Sequence, residues 1–338
     1  MTIQNKQPIS LITGVTGQDG SILAEILLNK GHRVIGIKRR TSLINSSERI
    51  DHVYSHPNFK VEYGNMLDSS SLYRLLAKYQ PDYIYNLAAQ SHVRASFEIP
   101  EETLEVIVLG VTKLLEAMRH VCPKARFYQA SSSEMFGSNV AAPQNEDTKF
   151  MPASPYGVAK VAAHQLCINY RNSYGLFISC GILYNHESEK RGELFVTRKI
   201  SKACARIKLG LQNKLYLGNL DAKRDWGYSP EFCEGMIKIV EHSQPDDFVL
   251  ATGETHTVKE YLEETFKLAD LDPYKYLEID PRLNRPEEVP LLLGDYSKAK
   301  KVLGWEPKTK FKELVELMYE HDYQEEYEKS RLVFDAGL

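Results

Sequence analysis

Short apolar runs and amphipathic stretches alternate through the first half of the chain. Residues 9–14 (ISLITG), 33–38 (RVIGIK), 60–64 (KVEYG), 83–88 (YIYNLA), 126–131 (RFYQAS) and 176–185 (LFISCGILYN) read as strands. They are rich in β-branched and aromatic residues and almost continuously apolar, as strands covered on both faces are. Between them, residues 20–30, 70–80, most of 101–120 and 155–174 have helical spacing, and Gly31 offers the first helix a C-cap. This alternation predicts an α/β fold, a doubly wound parallel Rossmann-type sheet with helices on both faces.

After residue 185 the pattern changes. Residues 186–210 are basic and helical, and 214–231 are irregular and rich in Gly and Asp. A strand at 246–253, a helix at 258–269 and an amphipathic helix at 311–323 follow. The reading is a dinucleotide-binding domain over 1–185, with returning segments near 212–257. Residues 186–338 then form a smaller, mostly helical α/β substrate domain interleaved with the first. The polar run 39–58 is long for a βα connection, and such loops usually carry function.

Composition narrows the class. The 338 residues are 43% hydrophobic with a net charge of −3, which predicts a soluble globular chain and points to neither nucleic acid nor membrane as a partner. No run approaches the roughly 18 apolar residues of a spanning helix. The N-terminal MTIQNKQPISLITG lacks a signal-peptide core, so the expectation is a cytoplasmic protein. The five cysteines form neither a CxxC pair nor a metal spacing; they read as reduced packing thiols, with no metal site.

Candidate chemistry begins with GVTGQDG, residues 14–20, between the first strand and the first helix. Gly14, Gly17 and Gly20 let the chain turn and approach a pyrophosphate, with Thr16, Gln18 and Asp19 lining the same loop. The second strand ends in Arg39 and Arg40 where an NAD enzyme places a carboxylate, which predicts NADP. GNMLD and NLAAQ follow the next two strands. Asn65 and Met66, then Leu87, Ala88 and Ala89, are therefore placed at the cofactor edge, the alanines small enough for close approach.

SPYGVAK follows at 154–160. Ser154 and Pro155 start a helix on which Tyr156 and Lys160 share a face. A neighbouring ammonium is expected to lower the phenol's pKa and fit it to take a proton from a sugar hydroxyl. ASSSE, 130–134, adds hydroxyls, Ser132 among them, and the carboxylate of Glu134. That carboxylate reads either as a second acid–base centre able to expel water or as an ordinary helix-start residue.

Together, GVTGQDGSILAE, IGIKRR, NLAAQSHV, SSSE, SPYGVAK, NHESEKRGELFVTRKI, RDWG and RPEEV resemble the extended short-chain dehydrogenase/reductases that act on nucleotide sugars. Within these the chain is similar to the GDP-mannose 4,6-dehydratase family, over about residues 9–320. The resemblance implies conversion of GDP-α-D-mannose to GDP-4-dehydro-6-deoxy-α-D-mannose and water, with tightly bound NADP recycled. It implies that Tyr156 is the base, supported by Lys160, and that Glu134 with Ser132 drives elimination. It places His186 and Arg191 at the cofactor, and Ser91, Asn185, Lys199, Arg224, Arg285 and Glu288 at the GDP-sugar. It also implies a homotetramer in which the loop after IKRR reaches a neighbouring subunit. Departures from the family's usual residues stand at Ser132 (often threonine), Asn65 (often aspartate) and Tyr228 (usually histidine). Two other readings stay open: an NADP-dependent nucleotide-sugar 4-epimerase or 4-keto reductase, which has no need of Glu134, and a non-catalytic NADP-binding module.

Overall fold

The computed structural model describes residues 7–42, 46–138 and 140–335. The start of the N-terminal segment, 1–6, and residues 43–45 of the long loop lie outside them. Seven strands form the main sheet: β1 (Ile9–Thr13), β2 (Arg33–Lys38), β3 (Phe59–Tyr63), β4 (Tyr83–Asn86), β5 (Arg126–Ser132), β6 (Ile178–Leu183) and β7 (Asp247–Leu250). Their spatial order is β3-β2-β1-β4-β5-β6-β7, and every pairing is parallel. The order reverses between β1 and β4, so the crevice beyond their C-terminal ends is where this architecture binds ligands.

The apolar runs form strands because both faces of the sheet are covered. On one face, helices α2 (Ser69–Tyr79), α3 (Gly110–Val121) and α4 (Pro155–Tyr174) bury Leu72, Leu76, Leu114, Met118 and Cys167 against Leu11, Ile84 and Phe127. On the other, α1 (Gln18–Asn29) and α6 (Ser229–Glu241) bury Leu23, Leu27, Phe232 and Met236 against Ile12, Tyr85 and Tyr128. Thus β7 and α6, late in the chain, complete the sheet layer begun at residue 9. A separate core joins α5 (Val196–Lys208), α7 (Val258–Leu268) and α8 (Phe311–Asp335). Ion pairs lock its helices: Arg198 with Asp322 at 2.7 Å, and Lys202 with Glu325 at 2.7 Å and Glu326 at 2.9 Å. No helix among the described residues is long and apolar enough to cross a membrane.

The expected helix over 101–120 is present, running without a gap from Pro100 to Val121, with a π-helical turn inside it. Short helices at Ala95–Glu98 and Pro100–Leu104 lead into a π-helical turn, Glu105–Leu109, before α3. Gly110 stands where the regular helix resumes, and a Cβ there would lie 2.9 Å from Met66. A π-turn rotates the residues after it relative to those before, so one sequence segment follows two packing surfaces. The long loop after β2 also contains a short helix, Asp51–Tyr54.

Glycine geometry sets the mouth of the crevice. Gly14 has φ +70°, and a side chain there would press on the Ala88 backbone at 3.1 Å. A Cβ on Gly20 would come within 2.3 Å of the Gly14 carbonyl oxygen. Gly20→Ala should therefore destabilise the fold by about 2 kcal/mol or more and weaken NADP binding. Urea unfolding and cofactor titration of the purified variant check both.

Candidate active site

The first helix begins at the glycine loop without a side-chain cap: Gly17 is its exposed N-cap residue. Its leading N–H groups thus remain open to an anion, and the bare glycines leave room for one to approach. Arg39 and Arg40 are exposed at the end of β2, two cations at the same sheet edge. These features suit a dinucleotide carrying an extra phosphate. Thr16 is tied from outside: its carbonyl accepts from Arg49 at 3.5 Å, and Arg49 also donates to the Lys190 carbonyl at 2.7 Å.

Gln18 and Asp19 turn inward and fasten the loop to the segment after β6. Gln18 donates to the His186 carbonyl at 3.0 Å and accepts from Ser188 at 3.0 Å. Asp19 meets His186 Nε2 at 2.8 Å and accepts from Ser229 at 2.9 Å. His186 Nδ1 faces the Tyr184 carbonyl at 2.7 Å, and its ring stacks on Phe232. Nδ1 must donate to a carbonyl, so with Asp19 ionised the ring carries both protons. Burial alone would lower the imidazole, but the Asp19 charge raises it above its ordinary value. Burial would likewise raise Asp19, yet His186 and Arg191 bring that carboxyl well below the usual range.

Of the residues placed at the next strand ends, Asn65 folds back on its own turn, accepting from the Leu67 N–H at 3.0 Å. Met66 is buried beneath α3. The N–H groups of Leu87 and Ala88 both donate to the Thr13 hydroxyl at 3.1 Å; Ala89 is partly buried beside them.

The α4 start is built tightly. Ser154 accepts from the Gly157 N–H at 3.0 Å, and Ser96 accepts from the Tyr156 N–H at 3.1 Å, so two orphan donors are met. Gly157 lies against the Glu134 carbonyl: a Cβ there would stand 2.7 Å from it. That close approach brings Tyr156 to Ser132, with which it shares a hydrogen bond. Ser132, Glu134, Tyr156 and Lys160 are all buried.

The phenol differs from expectation. Burial raises Tyr156 well above its ordinary value, and the Glu134 charge adds to the rise, against smaller lowering by Ser132 and Arg191. The Lys160 ammonium does not offset this. It is directed to the Ala130 carbonyl at 2.7 Å, lies 5.6 Å from the tyrosine ring centroid, and is itself brought down by burial to about 8.

Beyond Glu134 lies a chain of alternating charge. Its carboxylate pairs with Arg285 at 3.1 Å, Arg285 with Glu288 at 3.6 Å, and Glu288 with Arg224 at 2.7 Å. Arg224 also donates to the Val289 carbonyl at 2.7 Å. The paired carboxylates raise Arg285 despite its burial, whereas burial lowers Arg224. Arg191 pairs with the buried Glu187 at 3.1 Å and lies over the Phe195 ring at 3.9 Å. Asn185 and Tyr228 sit at opposite ends of a two-stranded pairing of 185–187 with 226–228. Lys199, on α5, is partly buried, which lowers it, with Asp280 opposing. Ser91 is exposed just past NLAAQ.

A glycine loop opening a helix, a tyrosine–lysine pair and a carboxylate near them suit hydride and acid–base chemistry. The family model described as GDP-mannose 4,6 dehydratase matches residues 11–318. The chain belongs to the GDP-mannose 4,6-dehydratase family. It is thus an enzyme with an NADP(H)-binding Rossmann fold, a lyase of nucleotide-sugar metabolism. GDP-mannose 4,6 dehydratase 2 of Arabidopsis thaliana is 50% identical over 346 residues, covering 99% of this chain and 92% of that protein. GDP-mannose 4,6-dehydratase of Yersinia enterocolitica is 47% identical over 350 residues, covering 94% of each. Among solved structures, RMD from Pseudomonas aeruginosa complexed with NADPH has the same fold, with a TM-score of 0.78 at 22% identity over 94% of this chain and 100% of that one.

Within this family site, pattern reading overlooked Thr13, Asn86, Gln129 and Ser96. Thr13 and Asn86 are polar side chains at the C-terminal ends of apolar buried strands and Gln129 is a buried polar side chain in the middle of one, and that mismatch is the signal that could have found them.

Two outcomes follow from this geometry. Gly157→Ala should push α4 away from Glu134 and reduce kcat about tenfold or more with a smaller loss of thermal stability, read by kinetics beside a melting curve. His186 has a raised folded pKa, so the stability it adds is complete below its ordinary value and is lost as pH rises through the folded value. In Asp19→Asn, burial should win and the imidazole should titrate below the ordinary histidine value, as an NMR titration of His186 would record.

Proposed function

We propose that this site dehydrates GDP-α-D-mannose to GDP-4-dehydro-6-deoxy-α-D-mannose, with NADP bound throughout and regenerated at each turnover. The observation that carries the reading is the buried Glu134 carboxylate beside the Ser132–Tyr156 hydrogen bond, held by Arg285. An epimerase or a 4-keto reductase has no use for that carboxylate, and a binding module has no use for any of the set.

Gly14, Gly17, Gly20 and the α1 N-terminus would hold the pyrophosphate, with Arg39 and Arg40 at the 2′-phosphate. Bound there, NADP would supply the hydride chemistry that links C4 and C6, and in its oxidised form a positive charge that favours a phenolate. Tyr156 takes the C4 hydroxyl proton, and Lys160 supports it through its charge. Ser132 donates to O4 of the sugar. The 4-ketone acidifies C5; Glu134 removes that proton and passes it to the departing C6 hydroxyl, and Tyr156 returns its proton to C5 as C6 regains hydrogen. Arg285 pairs with Glu134 and aims it. His186 and Arg191 close the cofactor side. Ser91, Asn185, Lys199, Arg224, Arg285 and Glu288 line the GDP-sugar side, where buried arginines suit a diphosphate. Residues 1–185 serve NADP and 186–338 chiefly the nucleotide sugar. A homotetramer, with the loop after β2 reaching a neighbour, and a cytoplasmic setting complete the reading. Five free, buried cysteines suit a reducing compartment.

The test uses GDP-mannose deuterated at C4, with no NADPH added. Mass spectrometry and NMR should find loss of one water and the label at C6. Label released to solvent or to free cofactor would sink the proposal. Glu134→Gln should lose dehydration by about a hundredfold or more while still exchanging hydride at C4; full dehydratase turnover in that variant would contradict the role given to Glu134.

A further inference from the structure

Lys160 is fastened from behind by a single buried polar chain. The Ala130 carbonyl that receives its ammonium at 2.7 Å also accepts from Gln129 Nε2 at 3.1 Å. Gln129 Oε1 accepts from Asn86 Nδ2 at 2.8 Å, and Asn86 Oδ1 accepts from the Thr13 hydroxyl at 2.8 Å. Thr13 Oγ1 in turn accepts the N–H groups of Leu87 and Ala88. Thr13, Asn86 and Gln129 are direct register partners across β1, β4 and β5, so their side chains stand on one face of the sheet. All three are buried.

The direction of this chain is determined at both ends. Two backbone N–H groups occupy the Thr13 oxygen, so its own proton must go to Asn86. That leaves the Asn86 amide donating to Gln129, and the Gln129 amide donating to a backbone carbonyl. Turning either amide over would set oxygen against oxygen in a dry interior, which costs about 1–3 kcal/mol for each stranded group. The chain therefore has one arrangement, and it ends on the carbonyl where the lysine sits.

We infer that Gln129 is a positioning residue for Lys160, setting the Ala130 carbonyl, and hence the ammonium, in register with the strand that carries the glycine loop. The inference rests on the catalytic role proposed above for Lys160. The groups facing that ammonium are Tyr156 and Cys167 on its own helix, Asp19 at the start of α1, and the Ala130 carbonyl of β5. Adding a carboxylate at 129 would raise the pH at which the ammonium is lost. Gln129→Met keeps the volume but removes both amide bonds.

The experiment compares wild type, Gln129→Met, Gln129→Glu and Lys160→Ala as full-length enzymes with GDP-mannose, from roughly pH 6 to 10, beside melting curves. Gln129→Met should lose about tenfold in kcat with little change in KM. Gln129→Glu, which still accepts from Asn86, should move the alkaline limb of the kcat profile to higher pH, a change that loosened packing would not produce. Should both Gln129 variants melt like wild type and keep its kcat and pH limbs while Lys160→Ala is inactive, the positioning role is refuted and the catalytic reading stands. A fully active Lys160→Ala enzyme would overturn both. If Gln129→Met does not fold, the pH limb of Gln129→Glu decides the matter alone: movement supports the inference and no movement refutes it.

Discussion

A carboxylate charge buried in a protein interior needs a cation, and for Glu134 that cation comes from 151 residues further along the chain. Isolated in a dry interior, a carboxylate charge would cost several kcal/mol. Arg285 supplies that partner at 3.1 Å, and Glu288 and Arg224 extend the alternation into the second half of the chain. One electrostatic requirement thereby closes the substrate side onto the C-terminal edge of the sheet. The Glu134 carboxylate and the arginines proposed to meet a diphosphate belong to one network.

A second buried pair works at the other end of the crevice. Asp19 and His186 join the first turn of α1 to the strand segment after β6, and Ser229 adds the start of α6. The glycine loop is thus anchored by side chains that point away from the ligand, leaving backbone N–H groups to face it. Between the two pairs lies the tyrosine–lysine helix, seated on Glu134 through a glycine and on Ala130 through an ammonium. Burial works against both its groups: it disfavours the phenolate of Tyr156 and the ammonium of Lys160 alike. Charge brought by the ligands is what such a site needs in order to act near neutral pH.

Much of this was legible along the chain. The apolar runs located the strands, and their alternation with helical spacing implied parallel order. The glycine spacing, the Ser-Pro helix start and the i, i+4 tyrosine and lysine were visible because each is a local arrangement with a local physical cause. Less legible were the π-turn at 105–109 and the inward turn of Gln18 and Asp19. Each depends on a surface contributed by a distant segment: Met66 beneath Gly110 in the first case, and His186 with Ser229 in the second.

The sequence by itself determined the sheet, the cofactor loop and which side chains could carry acid–base work, since these follow from periodicity, backbone freedom and short-range spacing. Only the tertiary structure decided the ionisation and aim of those side chains. Whether Tyr156 sits above or below its ordinary pKa, where the Lys160 ammonium points, and which cation pairs with Glu134 are settled by burial and by partners far away in the chain. Coulombic energy depends on distance and dielectric in space, and neither can be read from separation along the chain.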